Sequence, residues 1–217
     1  MVHAIQKRII PLLLKCIWIK EIRGIDNIPT DGRFVAAPNH SSLFDDWIVP
    51  SIIVPYLDKK LHMYSNRKYF KNPLFRLYLE HSKAIPVEVY KSKDHKEINN
   101  RALQKALYYL KNKEPICIYP EGHRTLDGQL QKAKTGVAKL ALAAKVPVLP
   151  IGITGTFNIL SKGRAIPKFK KCVVIKVGKP LYFNEYYGKE NDKKVLNVVT
   201  AKIMKEIAKL IKKKYNY

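Results

Sequence analysis

The chain has 217 residues, 47% of them apolar, and a formal net charge of +24. That length suits one domain burying roughly 70% of its unfolded surface, and the apolar share excludes a disordered polyelectrolyte. The charge predicts polyanionic partners (an anionic bilayer, phosphorylated substrates or nucleic acid), against the plainer reading of a solvated lysine-rich surface. Cys16, Cys117 and Cys172 stand far apart in apolar company with no Cys-x-x-Cys, so they read as reduced core thiols rather than metal ligands.

Residues 2–20 carry Val2, Ile5, Ile9, Leu12, Leu13, Cys16 and Ile17 at helical spacing, widened by Ile10, Leu14, Trp18 and Ile19. The run is too short and too interrupted to cross a bilayer, and it shows no small-residue cleavage site. With Trp18 and the flanking Lys7, Arg8, Lys15 and Lys20 it suits the membrane interface; the same pattern also suits a helix packed on the core. Residues 24–32 form a turn-rich link, and 34–37 read as a short buried strand. A polar turn, 38–46, and an apolar helix follow. Residues 61–64 read as a strand and 74–79 as a helix. Residues 84–87 read as an edge strand, where Pro86 is tolerated. A helix over 95–112 presents Ile98, Ala102, Leu103, Ala106, Leu107 and Leu110 to the core. Then come a strand at 116–119, a helix over 132–144, and strands at 148–153 and 173–177. A last helix over 191–214 has Val195, Val199, Ile203, Ile207 and Leu210 inward and Lys202, Lys205, Lys209 and Lys212 as a basic stripe on another face. Strands alternating with helices predict an α/β fold: a single domain with a mainly parallel central sheet flanked by helices and an N-terminal amphipathic helix.

Two turns carry the chemistry. In Asn39-His40-Ser41-Ser42-Leu43-Phe44-Asp45 a histidine precedes a carboxylate by five residues, a spacing that suits a general base and the group that orients it. Ser42 and Asp45 also have capping-box spacing, so Asp45 equally reads as a helix-start tie. Glu121, Gly122 and Arg124 follow the 116–119 strand. Gly122 allows close approach of backbone to ligand, and Arg124 suits a phosphate; a local Glu121–Arg124 ion pair is the plainer alternative. Ligands of open α/β sheets bind beyond the carboxyl ends of the strands, so the two turns share a cleft if their strands lie parallel and close.

The first of these stretches resembles the Asn-His-x4-Asp signature of the 1-acylglycerol-3-phosphate acyltransferase family. Tyr119-Pro120-Glu121-Gly122-His123-Arg124-Thr125 is similar to its Phe-Pro-Glu-Gly-Thr-Arg-Ser block. The segment from Lys134 to Ala141 is similar to its Lys-x-Gly helix, and Val146-Pro147-Val148-Leu149-Pro150 to its Val-Pro-Val-x-Pro strand. The resemblance covers about residues 33–155. It implies His40 as base and Asp45 as its partner, with Asn39, Ser41, Glu121, Gly122, Arg124, Thr125 and Lys134 on the substrate side. It also implies acyl transfer from acyl-CoA or acyl carrier protein to the hydroxyl of 1-acylglycerol-3-phosphate, giving phosphatidic acid, with no metal or other cofactor. The chain departs from the family pattern at Lys83, where glycine is usual, and at Val89, where arginine is usual. A family Lys-Lys-Glu-Leu segment reads Asn66-Arg67-Lys68-Tyr69, with Arg67 or Lys91 as candidate compensating charges.

These readings divide the chain into a membrane-interface segment, 1–22, and an acyltransferase domain, 23–217. The expected partners are a lysophospholipid acceptor, a thioester donor and an anionic membrane surface, with no nucleic acid. The expected location is the cytoplasmic face of the cell membrane, peripheral or monotopic. Alternatives are remodelling of another lysophospholipid, or a non-catalytic basic protein coating a membrane.

Overall fold

The computed structural model describes residues 5–90, 92–161, 163 and 166–217. Seven strands form one sheet: β1 (Ile19–Arg23), β2 (Val35–Pro38), β3 (His62–Asn66), β4 (Ile85–Val87), β5 (Ile116–Cys117), β6 (Val148–Thr154) and β7 (Val173–Val177), in the order β1-β7-β6-β2-β5-β3-β4. Strands β6, β2, β5, β3 and β4 run parallel; β7 turns antiparallel against β6 and takes β1 beside it. The architecture is a mostly parallel α/β sheet between helical layers. As its proline requires, β4 is an edge strand.

Alternation along β2 explains the layers. Val35 and Ala37 face the core with α4 (His95–Lys111), α5 (Gly136–Ala144) and α7 (Lys193–Ile211). Phe34 and Ala36 face the other core, with α1 (Ile10–Ile17) and α2 (Asp45–Leu57). The remaining helices are α3 (Pro73–His81) and a short α6 (Thr156–Ile159). Burial on both faces is why β2 reads as an unbroken apolar run, and it places the chain's central strand at the two turns that matter.

The N-terminal helix is shorter than its periodicity suggests. A π-helical turn, Ile5–Ile9, precedes Pro11, which cannot supply the amide hydrogen a regular turn needs, and α1 ends at Ile17. Ile19–Arg23 leaves the helix to pair with β7, with Ile22 opposite Ile175. Ladder bonding offered by β7 overrides local helical spacing there. Val2 and Lys91 lie outside the described residues. Cys16 is exposed rather than in the core; Cys117 is buried and Cys172 half-buried. Inside α7, Leu196, Val199, Ile203, Met204, Ile207, Ala208 and Ile211 are buried, whereas Val195 and Leu210 sit at the margin. The Lys202, Lys205, Lys209 and Lys212 stripe is exposed as expected. Among the described residues no helix is long and apolar enough to cross a membrane.

Candidate active site

β2 and β5 are parallel neighbours, with Val35 opposite Ile116 and Ala36 opposite Cys117. Their following turns therefore emerge side by side at the carboxyl edge of the sheet. The two turns are tied to each other through main-chain groups of His40. Its N–H donates to Glu121 Oε1 at 2.7 Å, and its carbonyl accepts from the N–H of Thr125 at 3.1 Å. Glu121 Oε2 accepts from the Gln131 N–H at 2.7 Å. This carboxylate is 1% exposed and works as a staple between loops. Burial pushes it up to about 7, against the opposing pull of the two amide hydrogen bonds. Arg124 makes no salt bridge to it, so the local ion pair allowed by the sequence does not form.

Asp45 satisfies both geometries that the sequence allowed, closing the helix start and bonding the imidazole. It is fully buried at the start of α2. Its Oδ2 accepts from the backbone N–H of Ser41 at 2.7 Å and of Ser42 at 2.8 Å, and from His40 Nδ1–H at 3.1 Å. Ser42 Oγ accepts from the Phe44 N–H and donates to the Leu160 carbonyl. One oxygen thus closes the turn and fixes the imidazole tautomer, leaving Nε2 as the ring nitrogen that Asp45 does not engage. The His40 ring stacks on Tyr119, 3.8 Å between centroids and 14° apart in plane.

His40 is at one wall of a cavity of about 800 Å³. Trp47, Met63, Phe75, Tyr78, Leu79 and Leu103 supply apolar lining, and Arg124, Lys134 and Lys68 supply positive charge. Arg124 has no ion pair or side-chain hydrogen bond among the described residues. It lies close enough to half-buried Asp46 to oppose the rise that burial imposes on that carboxyl. Gly122 has φ +73, and a Cβ there would press on the Lys134 stem at 3.2 Å. The Lys134 amine donates to the Val89 carbonyl at 2.9 Å, both residues lining the cavity.

The residues expected on the substrate side divide by geometry. Gly122, Arg124 and Lys134 line the cavity. Asn39 does not: its amide donates to the Ile153 carbonyl and accepts from the Ile153 N–H, extending the β2–β6 ladder. Ser41 Oγ is buried against Thr156 Oγ1 at 2.9 Å, and Thr125 Oγ1 donates to Asp127. Lys83 occupies a left-handed position, φ 52, after α3, where the Ala84 N–H returns to the Leu79 carbonyl. A glycine would suit that helix terminus, so this departure concerns backbone conformation, at a cost of about 1 kcal/mol. Arg67 pairs with Glu88 at 3.4 Å beside Val89.

Tyr119, Gln131, Thr156 and Asp46 belong to the site and were not singled out by sequence pattern. Tyr119 opens the second motif block and Asp46 directly follows the first, so position in or beside a motif was the available signal. Thr156 and Gln131 are brought in only by the sheet order and the loop path.

Fold and site together define an α/β domain whose paired turns set a histidine and its carboxylate partner at the wall of a largely apolar cavity that also carries Arg124, Lys134 and Lys68. The acyltransferase family profile matches residues 20–154, and the chain belongs to that family and is an acyltransferase. It is 27% identical over 157 residues to a 1-acyl-sn-glycerol-3-phosphate acyltransferase of Bacillus subtilis, covering 72% of this chain and 71% of that protein. A chloroplastic enzyme of the same name from Brassica napus, BAT2, is 25% identical over 163 residues, 75% of this chain and 45% of that one. The crystal structure of the 1-acyl-sn-glycerophosphate acyltransferase PlsC from Thermotoga maritima shares the fold. Its TM-score is 0.67 at 24% identity, over 100% of this chain and 80% of that one.

Proposed function

We propose that the protein acylates the free hydroxyl of 1-acylglycerol-3-phosphate with a fatty acyl group from a thioester, giving phosphatidic acid at a membrane surface. The observation that carries this reading is the His40 imidazole, held at Nδ1 by Asp45 and facing a cavity that is apolar along its length and cationic at Arg124 and Lys134. The names of the relatives agree with it.

Nε2 takes the proton of the acceptor hydroxyl as its oxygen attacks the thioester carbonyl. The tetrahedral intermediate collapses with cleavage of the C–S bond, and the imidazolium returns its proton to the departing thiolate. Asp45 steadies the imidazolium throughout. The acceptor supplies the nucleophile, so no acyl-enzyme forms. Arg124 holds the phosphate, and the Lys134 amine stands at Val89, where the family pattern has arginine. Asn39, Ser41, Glu121 and Thr125 serve by fixing the two turns.

The membrane part of the reading rests on α1. Ile10 and Leu14 pack inward, while Ile9, Leu12 and Leu13 face solvent, Leu12 at 63% exposure, with Cys16 one turn on. That stripe suits insertion at the headgroup boundary of the cytoplasmic leaflet. A coat protein has no use for an imidazole oriented over a cavity, which disfavours the non-catalytic alternative.

The test is acyl transfer with a panel of lysolipids and with acyl-CoA and acyl carrier protein donors, for wild type, His40→Ala and Arg124→Ala. Lysophosphatidate should be the best acceptor. His40→Ala should lose about 10²–10⁴ in rate. Arg124→Ala should raise the acceptor KM far more than the donor KM. Equal KM effects on both substrates would refute the phosphate role, and a better zwitterionic acceptor would move the assignment to remodelling.

A further inference from the structure

Trp18, at the end of α1, lies between two other rings. Phe44 meets it edge-on at 5.0 Å, and Phe169 stacks on it at 5.6 Å and 22°. Phe44 is buried in the turn between His40 and Asp45, whereas Phe169 is 78% exposed. The segment bearing Phe169 is anchored at several points. Trp18 Nε1–H donates to the Lys168 carbonyl at 2.8 Å, and the Lys168 N–H donates to the Ile159 carbonyl at 3.0 Å. The Cys172 N–H returns to the Lys170 carbonyl. At its start, the Leu160 carbonyl accepts from Ser42 Oγ, inside the catalytic turn.

A single exposed phenylalanine is ordinary on a protein surface. This one is flanked by exposed Lys168, Lys170 and Lys171, with exposed Ile166 three residues before it. None of the three lysines has a salt bridge among the described residues. From residue 128 to residue 184 the chain holds eleven basic residues and no acidic one. Through Trp18 the patch continues into α1, whose outer stripe is apolar. An aromatic ring flanked by lysines, in a stretch of sequence without an acid, is complementary to an anionic lipid surface: the ring enters the headgroup boundary while the ammonium groups meet phosphates.

We propose that residues 166–171 form a second bilayer contact, with Phe169 as the inserting side chain and Lys168, Lys170 and Lys171 as the anionic-lipid contacts. Trp18 braces this contact against both α1 and the catalytic turn. Two contacts at separate points fix the tilt of the protein on the membrane, which one helix alone leaves free to rotate. The proposal rests on the membrane-surface reading above and adds the residues that set orientation.

The experiment uses the full chain and co-sedimentation with vesicles of phosphatidylglycerol and phosphatidylcholine, across an ionic-strength series. The variants are Phe169→Ser and the triple Lys168→Gln, Lys170→Gln, Lys171→Gln. Turnover is followed in parallel with a short-chain, monomeric lysophosphatidate that needs no membrane. Phe169→Ser should weaken vesicle binding about ten-fold, on phosphatidylcholine alone as well. The triple variant should lose about five-fold per lysine on anionic vesicles, with a shallower salt dependence, and nothing on neutral ones. Both should turn over the soluble acceptor as wild type does. Vesicle affinities within two-fold of wild type for both variants overturn the proposal. So does loss of soluble turnover in step with binding, which would make the segment a brace for the catalytic turn only. A wild type that binds vesicles through Phe169 yet acylates no lysolipid would sink the acyl-transfer reading and leave the contact standing.

Discussion

Replacing Glu121 by Gln should stabilise the protein at pH 8 while impairing catalysis. The carboxyl is 1% exposed and burial pushes it up to about 7, from 4.5 in water. A carboxyl with a raised folded-state value binds more protons in the fold than in the unfolded chain between those two values. Stability is then fully present below the unfolded value and is lost as pH rises through the folded one. A shift of this size corresponds to about 3 kcal/mol, as an upper bound. Glutamine resembles the neutral carboxyl and does not titrate. At pH 5 the two proteins should therefore have nearly equal stability, and by pH 8 the variant should lead by about 2–3 kcal/mol, or about 4–10 °C in Tm. The catalytic cost has a geometric origin. The ionised side chain accepts from both the His40 and Gln131 amides, and an amide oxygen can serve only one. One turn loses its staple, and kcat should fall with the donor KM little changed. The measurement is thermal unfolding of both proteins at half-unit steps from pH 5 to 8, beside turnover at each pH. Parallel stability curves, or a lead for wild type that grows with pH, would show that Glu121 is comfortably ionised in the fold and refute the reasoning.

Asp45→Ala removes the acceptor of two buried amide hydrogens and of the imidazole. It should cost about 2–4 kcal/mol in chemical denaturation as well as activity, whereas Asp45→Asn keeps an oxygen for the amides and should lose rate with a smaller stability loss. Equal unfolding midpoints for Asp45→Ala and wild type would contradict the capping role. Gly122→Ala places a side chain at φ +73 against the Lys134 stem. It should cost about 1–2 kcal/mol and displace Lys134, seen as a raised acceptor KM; a variant kinetically identical to wild type would show that Lys134 has no part in binding.

Much of the site was legible before any fold was known, because its parts are local. The His40–Asp45 spacing spans one turn, and Gly122 and Arg124 sit within four residues of each other. Binary patterning set the class as well: Val35, Ala36 and Ala37 form a continuous apolar run of the kind a parallel strand buried on both faces requires. Composition alone set the expectation of polyanionic partners. The tertiary structure decided everything that depends on which strand lies beside which. Pairing of β2 with β5 made Glu121 a staple on His40, and pairing of β2 with β6 used up Asn39 on Ile153. Residues 19–23 became a strand because β7 offered an open edge, a contact some 150 residues distant that no local periodicity encodes. The same distance explains Trp18. Its ring reads as one more apolar position on a helix, and only the packed chain sets it between Phe44 of the His40–Asp45 turn and Phe169, since side-chain contacts across a sheet follow from strand order and not from spacing along the chain.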